Sequence, residues 1–222
     1  MPHDSHQHGR HPTSRRVRAL LLVAVVILAW SGSIVLAQRA TPEPRNFAQL
    51  VSDAQTIVVA KVIRVTDGVN AQGTPYTEVM LDVAECAKGG LVEGGRTSFR
   101  QYGLVAPRKL ANGAMLREVS PADYPRWQEG EQVVAFLLAP ARRTGLQTTV
   151  GLQQGKFSLL DGRVVNGIDN RGLFAGVRVA DGLLDARERA MFGSRGPVDA
   201  TTFIRLVERA VDGDWIARGQ LR

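Results

Sequence analysis

Residues 76–85 read Tyr-Thr-Glu-Val-Met-Leu-Asp-Val-Ala-Glu, and this stretch decides the fold class. Every second residue from Thr77 to Val83 suits a protein core, whereas Glu78 and Asp82 between them are charged. A period of two is typical of a β-strand with one buried face and one solvated face. The stretch therefore predicts a half-buried strand and favours a mainly β fold.

Further strands are predicted wherever β-branched residues are dense or alternate with polar ones. Asp67-Gly68 predicts the turn before the stretch above, and Asp161-Gly162 predicts a tight hairpin late in the chain. Residues 103–130 hold three prolines and predict a long loop with one helical turn. The strands are predicted at 57–65, 76–85, 96–102, 132–138, 146–152, 156–160 and 163–165.

Two amphipathic helices are predicted at the ends of this series of strands. Apolar residues recur at helical spacing from Phe47 to Ala54, and again from Phe203 to Ala210 after Asp199, a residue suited to an N-cap. Short strands with helices only at the two ends favour a small OB-like barrel, closed or partly open, over a sandwich.

The N-terminal segment has the sequence features of an export signal. The unbroken apolar run 19–30 follows three arginines and is followed by small residues up to Ala37, which predicts a signal peptide 1–37 cleaved before Gln38. The product would be secreted or periplasmic. The alternative is a retained anchor facing outside the cytoplasm, because residues 19–37 carry no charge and approach the ~20 residues that a membrane span needs.

The rest of the chain divides into a linker (38–45), a β-barrel domain (46–165), a weakly patterned extension (166–198) and a C-terminal helix (199–213). All four histidines lie in the predicted leader, so the remainder has no imidazole and one thiol, Cys86. This composition excludes Ser-His-Asp and Cys-His catalysis and zinc clusters, and it predicts no catalytic residue, metal or cofactor. Cys86 is expected to be a buried structural thiol rather than a nucleophile or an intermolecular bridge.

Charge argues against nucleic acid as a partner. Four of the 28 basic residues and one of the 21 acidic residues lie in the predicted leader, which leaves a net charge of about +4. That excess is too small to indicate a nucleic-acid surface.

The candidate binding residues each have an ordinary structural alternative. Lys156, after Gly155, either lies beside a ligand groove or is simply solvated. Arg163 belongs to a basic set that either converges on an anionic saccharide or phosphate or forms a mixed surface with nearby acids. Trp127 and Tyr102, with two further tyrosines, either form a stacking platform or pack in the core and loops. The basic set is Arg142, Arg143, Lys156, Arg163, Arg171 and Arg178.

Pairs of acidic residues suggest a second hypothesis, a carboxylate-dependent hydrolase, on weaker grounds. A glycosidase needs two carboxylates that flank the scissile bond, and three pairs of acids lie close in sequence. Residues 166–170 and 212–214 offer oxygen ligands for calcium, but neither has a twelve-residue loop with a closing Glu, so both are predicted to be turns. The pairs are Asp82 with Glu85, Glu129 with Glu131, and Asp212 with Asp214.

Several segments resemble a group of uncharacterised secreted bacterial proteins, over roughly residues 47–157 and the C-terminal helix. The most specific segment is Gly-Leu-Gln-Gln-Gly-Lys-Phe at 151–157, and Arg126 lies in another. The resemblance implies an OB-like or netrin-like barrel, similar to the inhibitory domain of tissue metalloproteinase inhibitors. It does not imply their mechanism, because no N-terminal cysteine is present to bind a zinc ion. The other similar segments are 54–60, Tyr76-Thr77, Lys88-Gly89, Pro125-Arg126, 130–133, Phe136-Leu137 and the helix through Phe203 and Val207.

The expected function is that of an exported, non-enzymatic barrel that binds a protein or an envelope polymer. Residues 103–130 and the turn near Gly155 are the expected contact segments, and the binding candidates are Lys156, Arg163, Arg126, Trp127 and Tyr102. One alternative is a carboxylate-dependent hydrolase. Another is a structural envelope protein tethered to the membrane through residues 19–37.

Overall fold

The computed structural model describes residues 43–110, 112–117 and 119–222. The predicted leader, its cleavage site at Ala37 and Gln38, and most of the linker lie outside these residues. The described part is mainly β, with 34% strand and 17% helix, as the strand pattern predicts. Its helices are α1 (Phe47–Asp53), α2 (Ala186–Phe192) and α3 (Ala200–Asp212).

Seven strands form one antiparallel sheet, in the order β3-β2-β1-β6-β7-β8-β9, and β4 pairs only with β5. Strands β3 and β9 are the edges, so strand pairing among the described residues does not close a barrel. The strands are β1 (Thr56–Val69), β2 (Pro75–Lys88), β3 (Arg96–Tyr102), β4 (Arg108–Lys109), β5 (Met115–Leu116), β6 (Gln132–Leu137), β7 (Lys156–Leu160), β8 (Arg163–Asn166) and β9 (Val198–Asp199).

Strand β6 lies between two hydrophobic cores, which explains its apolar run from Val133 to Leu137. Val134 and Phe136 face the helical core, which contains residues of α1 and α3. Val133, Ala135 and Leu137 face the strand core, which is built mainly from β1, β2 and β3. On β2, the alternating residues of the predicted half-buried strand, Thr77, Val79, Leu81 and Val83, are all buried.

Helix α3 begins and ends where its local sequence predicts. Asp199 is the N-cap and accepts hydrogen bonds from the Thr202 backbone N–H (2.8 Å) and hydroxyl (2.7 Å), and Gly213 is the C-cap. These two hydrogen bonds hold the pKa of Asp199 below its ordinary value of 3.8, and the bond from the Thr202 hydroxyl has the larger effect. The apolar face of the helix, Phe203, Leu206, Val207 and Ala210, is buried in the helical core.

We expect Asp199→Ala to lower the free energy of unfolding at pH 7 by about 1 kcal/mol, because it removes an N-cap. A lowered carboxyl pKa in the folded state stabilises the protein above the ordinary pKa, and this contribution is lost as the pH falls through the folded-state pKa. The difference between variant and wild type should therefore shrink below pH 4. Urea unfolding of both proteins at pH 7 and at pH 3 measures this difference in the free energy of unfolding. An equal difference at the two pH values would contradict the role of the ionised cap.

Two predicted local features are wrong. Asp67 and Gly68 lie within β1, and the turn is made by residues 70–73, where the Asn70 side chain accepts hydrogen bonds from the backbone N–H groups of Gln72 and Thr74. Residues 146–152 form only an isolated bridge to β6 at Thr149. Gly151 and Leu152 have positive φ angles of 60° and 59°, which breaks an extended strand.

The sequence pattern also missed several short elements, among them strand β9. Residues 103–130 contain the β4–β5 hairpin, and no helix is assigned in the part of this loop that the structure describes. Helix α2 lies inside the weakly patterned extension. Asp185 and Glu188 form a reciprocal capping box at its start, and Met191 is buried in the helical core. The extension thus contributes to the same core as α1.

Candidate functional site

Residues 122–126 of the long loop lie against β7 and β8 and form a cleft with them. The Gln153 backbone N–H donates to the Asp123 carbonyl (3.1 Å), which ties the loop to the turn before Gly155. A cavity of about 240 Å³ lies between these segments, and we call it the Lys156 cleft. Its polar side chains include Tyr124, Arg126, Gln153, Lys156, Ser158 and Asn166.

A mostly buried ion pair forms the floor of the Lys156 cleft. Lys156 Nζ donates to Glu131 Oε1 at 2.5 Å and lies 3.4 Å from Ser158 Oγ, which donates to the same carboxylate oxygen at 2.5 Å. Lys156 and Ser158 share one face of β7 because they are two residues apart, whereas Phe157 between them faces the helical core. The floor therefore joins β7 to the start of β6.

Lys156 is 8% exposed, so the interpretation of it as a solvated lysine is wrong. Burial lowers the pKa of Lys156, and this effect outweighs the hydrogen bond and the charge of Glu131, which raise it. Its ammonium group also lies 5.4 Å from the centre of the Trp127 ring. Glu131 balances the charge of Lys156. The lysine therefore acts on a ligand mainly as a hydrogen-bond donor and not as an unpaired positive charge.

Trp127 belongs to the strand core and is not part of an exposed stacking platform. It is 6% exposed, its ring packs edge-on against Phe99 at 5.2 Å, and its Nε1 donates to Gln101 Oε1 at 3.2 Å. The Gln101 amide in turn donates to the Pro125 carbonyl (3.1 Å). Trp127 and Gln101 thus hold the loop wall of the Lys156 cleft in place.

The other predicted binding residues are spread over the surface. Arg126 lines the cleft, and its guanidinium donates to the Ser120 carbonyl (2.8 Å). Tyr102, on edge strand β3, lies opposite Tyr76 and accepts a hydrogen bond from the Ser120 hydroxyl at its carbonyl (3.0 Å). Arg163 lines a separate cavity beside α2. Of the five candidates, Lys156 and Arg126 line the Lys156 cleft, and Trp127 lies beneath it.

The acidic pairs proposed from the sequence do not form an open catalytic pair at the cleft. Glu131 is engaged with Lys156, and Glu129 accepts a hydrogen bond from the Val65 backbone N–H (2.9 Å). Within residues 43–222, as far as they are described, no cluster of three or more His, Cys, Asp or Glu side chains is placed to hold a metal ion. Cys86 is half-buried, and its thiol accepts from the Leu91 N–H and donates to the Lys88 carbonyl.

Sequence reasoning missed Ser158, Gln153 and Asn166 as cleft residues. The spacing of Ser158 from Lys156 on one strand was the available signal, whereas the position of Gln153 depends on contact with a distant loop. None of the helices in the described residues has the length and hydropathy of a membrane span. Comparison of the chain with protein-family models, with curated proteins and with solved structures finds no match.

Proposed function

We propose that the protein is an exported, non-enzymatic binding protein that holds a protein segment or an envelope polymer in the Lys156 cleft. The observation that carries the proposal is the meeting of residues 122–126 with residues 153–158 around one cavity. Polar groups that donate and accept hydrogen bonds line this cavity beside Leu160, a large apolar residue that is 59% exposed. Such a mixture suits a ligand with both polar and apolar groups.

Binding is favoured over hydrolysis by the state of the carboxylates. Among the described residues, no acidic side chain lines the cleft directly, and Glu131 beneath it already shares its charge with Lys156. A glycosidase needs one carboxylic acid and one carboxylate on either side of the scissile bond. The arrangement supplies neither in the open cavity.

The proposal includes a partly open OB-like barrel around the strand core. Residues 146–150 support it, because the Gln147 N–H donates to the Arg100 carbonyl on edge strand β3 (2.8 Å). The Leu138 N–H, just after β6, donates to the Thr148 carbonyl of the same segment (2.9 Å). This segment bridges the gap between β3 and β6 without forming a regular strand, as expected for a barrel with one weak seam.

The test uses the full chain and two preparations from the cell envelope: purified peptidoglycan sacculi and detergent-solubilised envelope proteins. Co-sedimentation measures binding to sacculi, and affinity capture with mass spectrometry measures binding to proteins. We expect one preparation to bind the wild type, and Tyr124→Ala and Arg126→Ala to reduce binding at least fivefold. Both side chains line the cleft, and each supplies contacts that a ligand would lose.

Arg142→Ala is the matched control, since Arg142 is an exposed arginine that does not line the cleft. Binding by the control should equal that of the wild type. The proposal would be overturned if neither preparation bound, or if the cleft variants and the control bound alike. Hydrolysis of the sacculi by the wild type would favour the hydrolase alternative instead.

A further inference from the structure

A second cavity, of about 540 Å³, lies between the turn at residues 169–175 and the segment 192–196 that ends α2. We call it the Phe174 cavity. It shares no lining residue with the Lys156 cleft, so a conclusion about one does not depend on the other. Its wall includes Arg171 and Arg195, both exposed.

The two segments that enclose the Phe174 cavity are held together by Asn170, a buried residue. Its side-chain amide donates to the Val164 carbonyl of β8 (3.0 Å) and to the Gly196 carbonyl (2.9 Å), and its oxygen accepts from the Asn166 N–H (2.9 Å). Asp169 and Asn170 both adopt positive φ angles, of 58° and 53°. Asp and Asn adopt this conformation more readily than other non-glycine residues, so the pair forms a tight turn in the cavity wall.

Unused hydrogen-bond donors and acceptors both line the Phe174 cavity. Four of its lining residues have backbone N–H groups without an acceptor among the described residues. Arg195 makes no ion pair or hydrogen bond with a described residue, and Arg171 uses only its Nε, which donates to the Ile168 carbonyl (3.1 Å). The four backbone donors are those of Gly172, Phe174, Arg195 and Gly196.

An apolar surface completes the cavity. The rings of Phe174 and Phe192 both line it and stack on each other, with centroids 4.6 Å apart and planes inclined by 25°. Unpaired backbone N–H groups beside guanidinium groups form an arrangement that binds anions. A stacked aromatic pair next to them suits the apolar or planar part of a ligand.

We infer that the Phe174 cavity is a binding site for a small organic anion, a carboxylate or phosphate group carried on an apolar or planar body. Arg171 and Arg195 contact the anionic group together with the free backbone N–H groups, and the phenylalanine pair contacts the body. Asp169 also lines the cavity, and its carboxylate opposes an anion there. The site therefore selects for ligands whose apolar contacts add to the charge interaction.

The test titrates the full chain with phenyl phosphate, benzoate and inorganic phosphate, using calorimetry and amide NMR. Phenyl phosphate or benzoate should bind at least tenfold more tightly than inorganic phosphate and should shift the amide signals of Gly172 and Gly196. Arg171→Gln and Arg195→Gln should each weaken binding about tenfold, the loss expected for a charge-assisted hydrogen bond. Asp169→Asn should strengthen it about threefold, because a repulsive charge is removed.

Arg218→Gln is the matched control, because Arg218 is exposed and lies outside the cavity lining. Each variant is first compared with the wild type by thermal unfolding, so that a misfolded protein is recognised. Equal affinities in the control and the two cavity variants, or signal shifts confined to other residues, would overturn the inference. An absence of binding at 50 mM of every probe would overturn it as well. A preference for phenyl phosphate over benzoate would identify the anionic group as a phosphate.

Discussion

Phe203→Ala is expected to lower the free energy of unfolding by about 3–5 kcal/mol, the range for removing a fully buried phenylalanine ring. Phe203 is 0% exposed and lies where α1, α3, β6 and β7 meet. Its ring centroid is 4.9 Å from that of Phe157, 5.9 Å from that of Phe47 and 6.3 Å from that of Phe136. Because the ring contacts one helix and two strands of the sheet, its removal leaves a cavity that the surrounding side chains fill only in part.

Urea unfolding followed by circular dichroism measures the change, with two comparison variants. Phe203→Leu retains most of the volume and should cost less than about 1.5 kcal/mol. Val92→Ala alters a side chain that is 76% exposed and should stay within about 0.5 kcal/mol of the wild type. A loss below 1 kcal/mol for Phe203→Ala would show that the helical core is loosely packed in solution.

Local signals in the sequence account for the parts of the fold that were predicted well. The bounds of α3 follow from Asp199 as its cap, Gly213 as its end and an apolar stripe between them, all within one segment. The Asp161-Gly162 hairpin between β7 and β8 is equally local, and it is present. Predictions that required contact between distant segments were less accurate.

The segment 146–152 illustrates this limit. Its residues are compatible with a strand, but Gly151 takes a left-handed conformation and the chain turns back so that Val150 contacts β6 beside Gly155. A Cβ atom at position 155 would lie 2.4 Å from the Val150 carbonyl oxygen, so only glycine fits there. A sequence pattern does not reveal this close approach of the backbones at Val150 and Gly155, because it depends on how the chain folds back.

The sequence predicts only part of the candidate site, because the rest depends on contacts between distant segments. The sequence pattern indicates both Lys156 and Arg126 as binding residues, and they line one cavity. The pairing of Lys156 with Glu131 was not predicted, because 25 residues separate the two and the ion pair depends on how β6 and β7 align. Tyr102 and Arg163 have side chains suited to binding, but they lie outside the cleft. Export and cleavage after Ala37 stay predictions.

Lys156→Met is expected to lower the free energy of unfolding by about 3 kcal/mol, because removal of one partner leaves an uncompensated charge in a buried position. The side chains of Lys156 and Glu131 are 9% and 15% exposed, so water replaces the lost partner poorly. Glu131→Met should cost a similar amount for the same reason. In the double variant both charges are gone and the volumes are nearly kept, so its loss should be smaller than that of either single variant.

A double-mutant cycle from urea unfolding separates the ion pair from simple packing. Coupling of at least about 1–2 kcal/mol between the two positions is expected for groups in direct contact. Losses that simply add would mean that the pair is not formed in solution. A stable double variant has a further use, because it keeps the loop held by Trp127 and Gln101 while removing the charged floor. If that variant still binds its ligand, the walls of the cleft carry recognition, and the ion pair only fixes the alignment of β6 with β7.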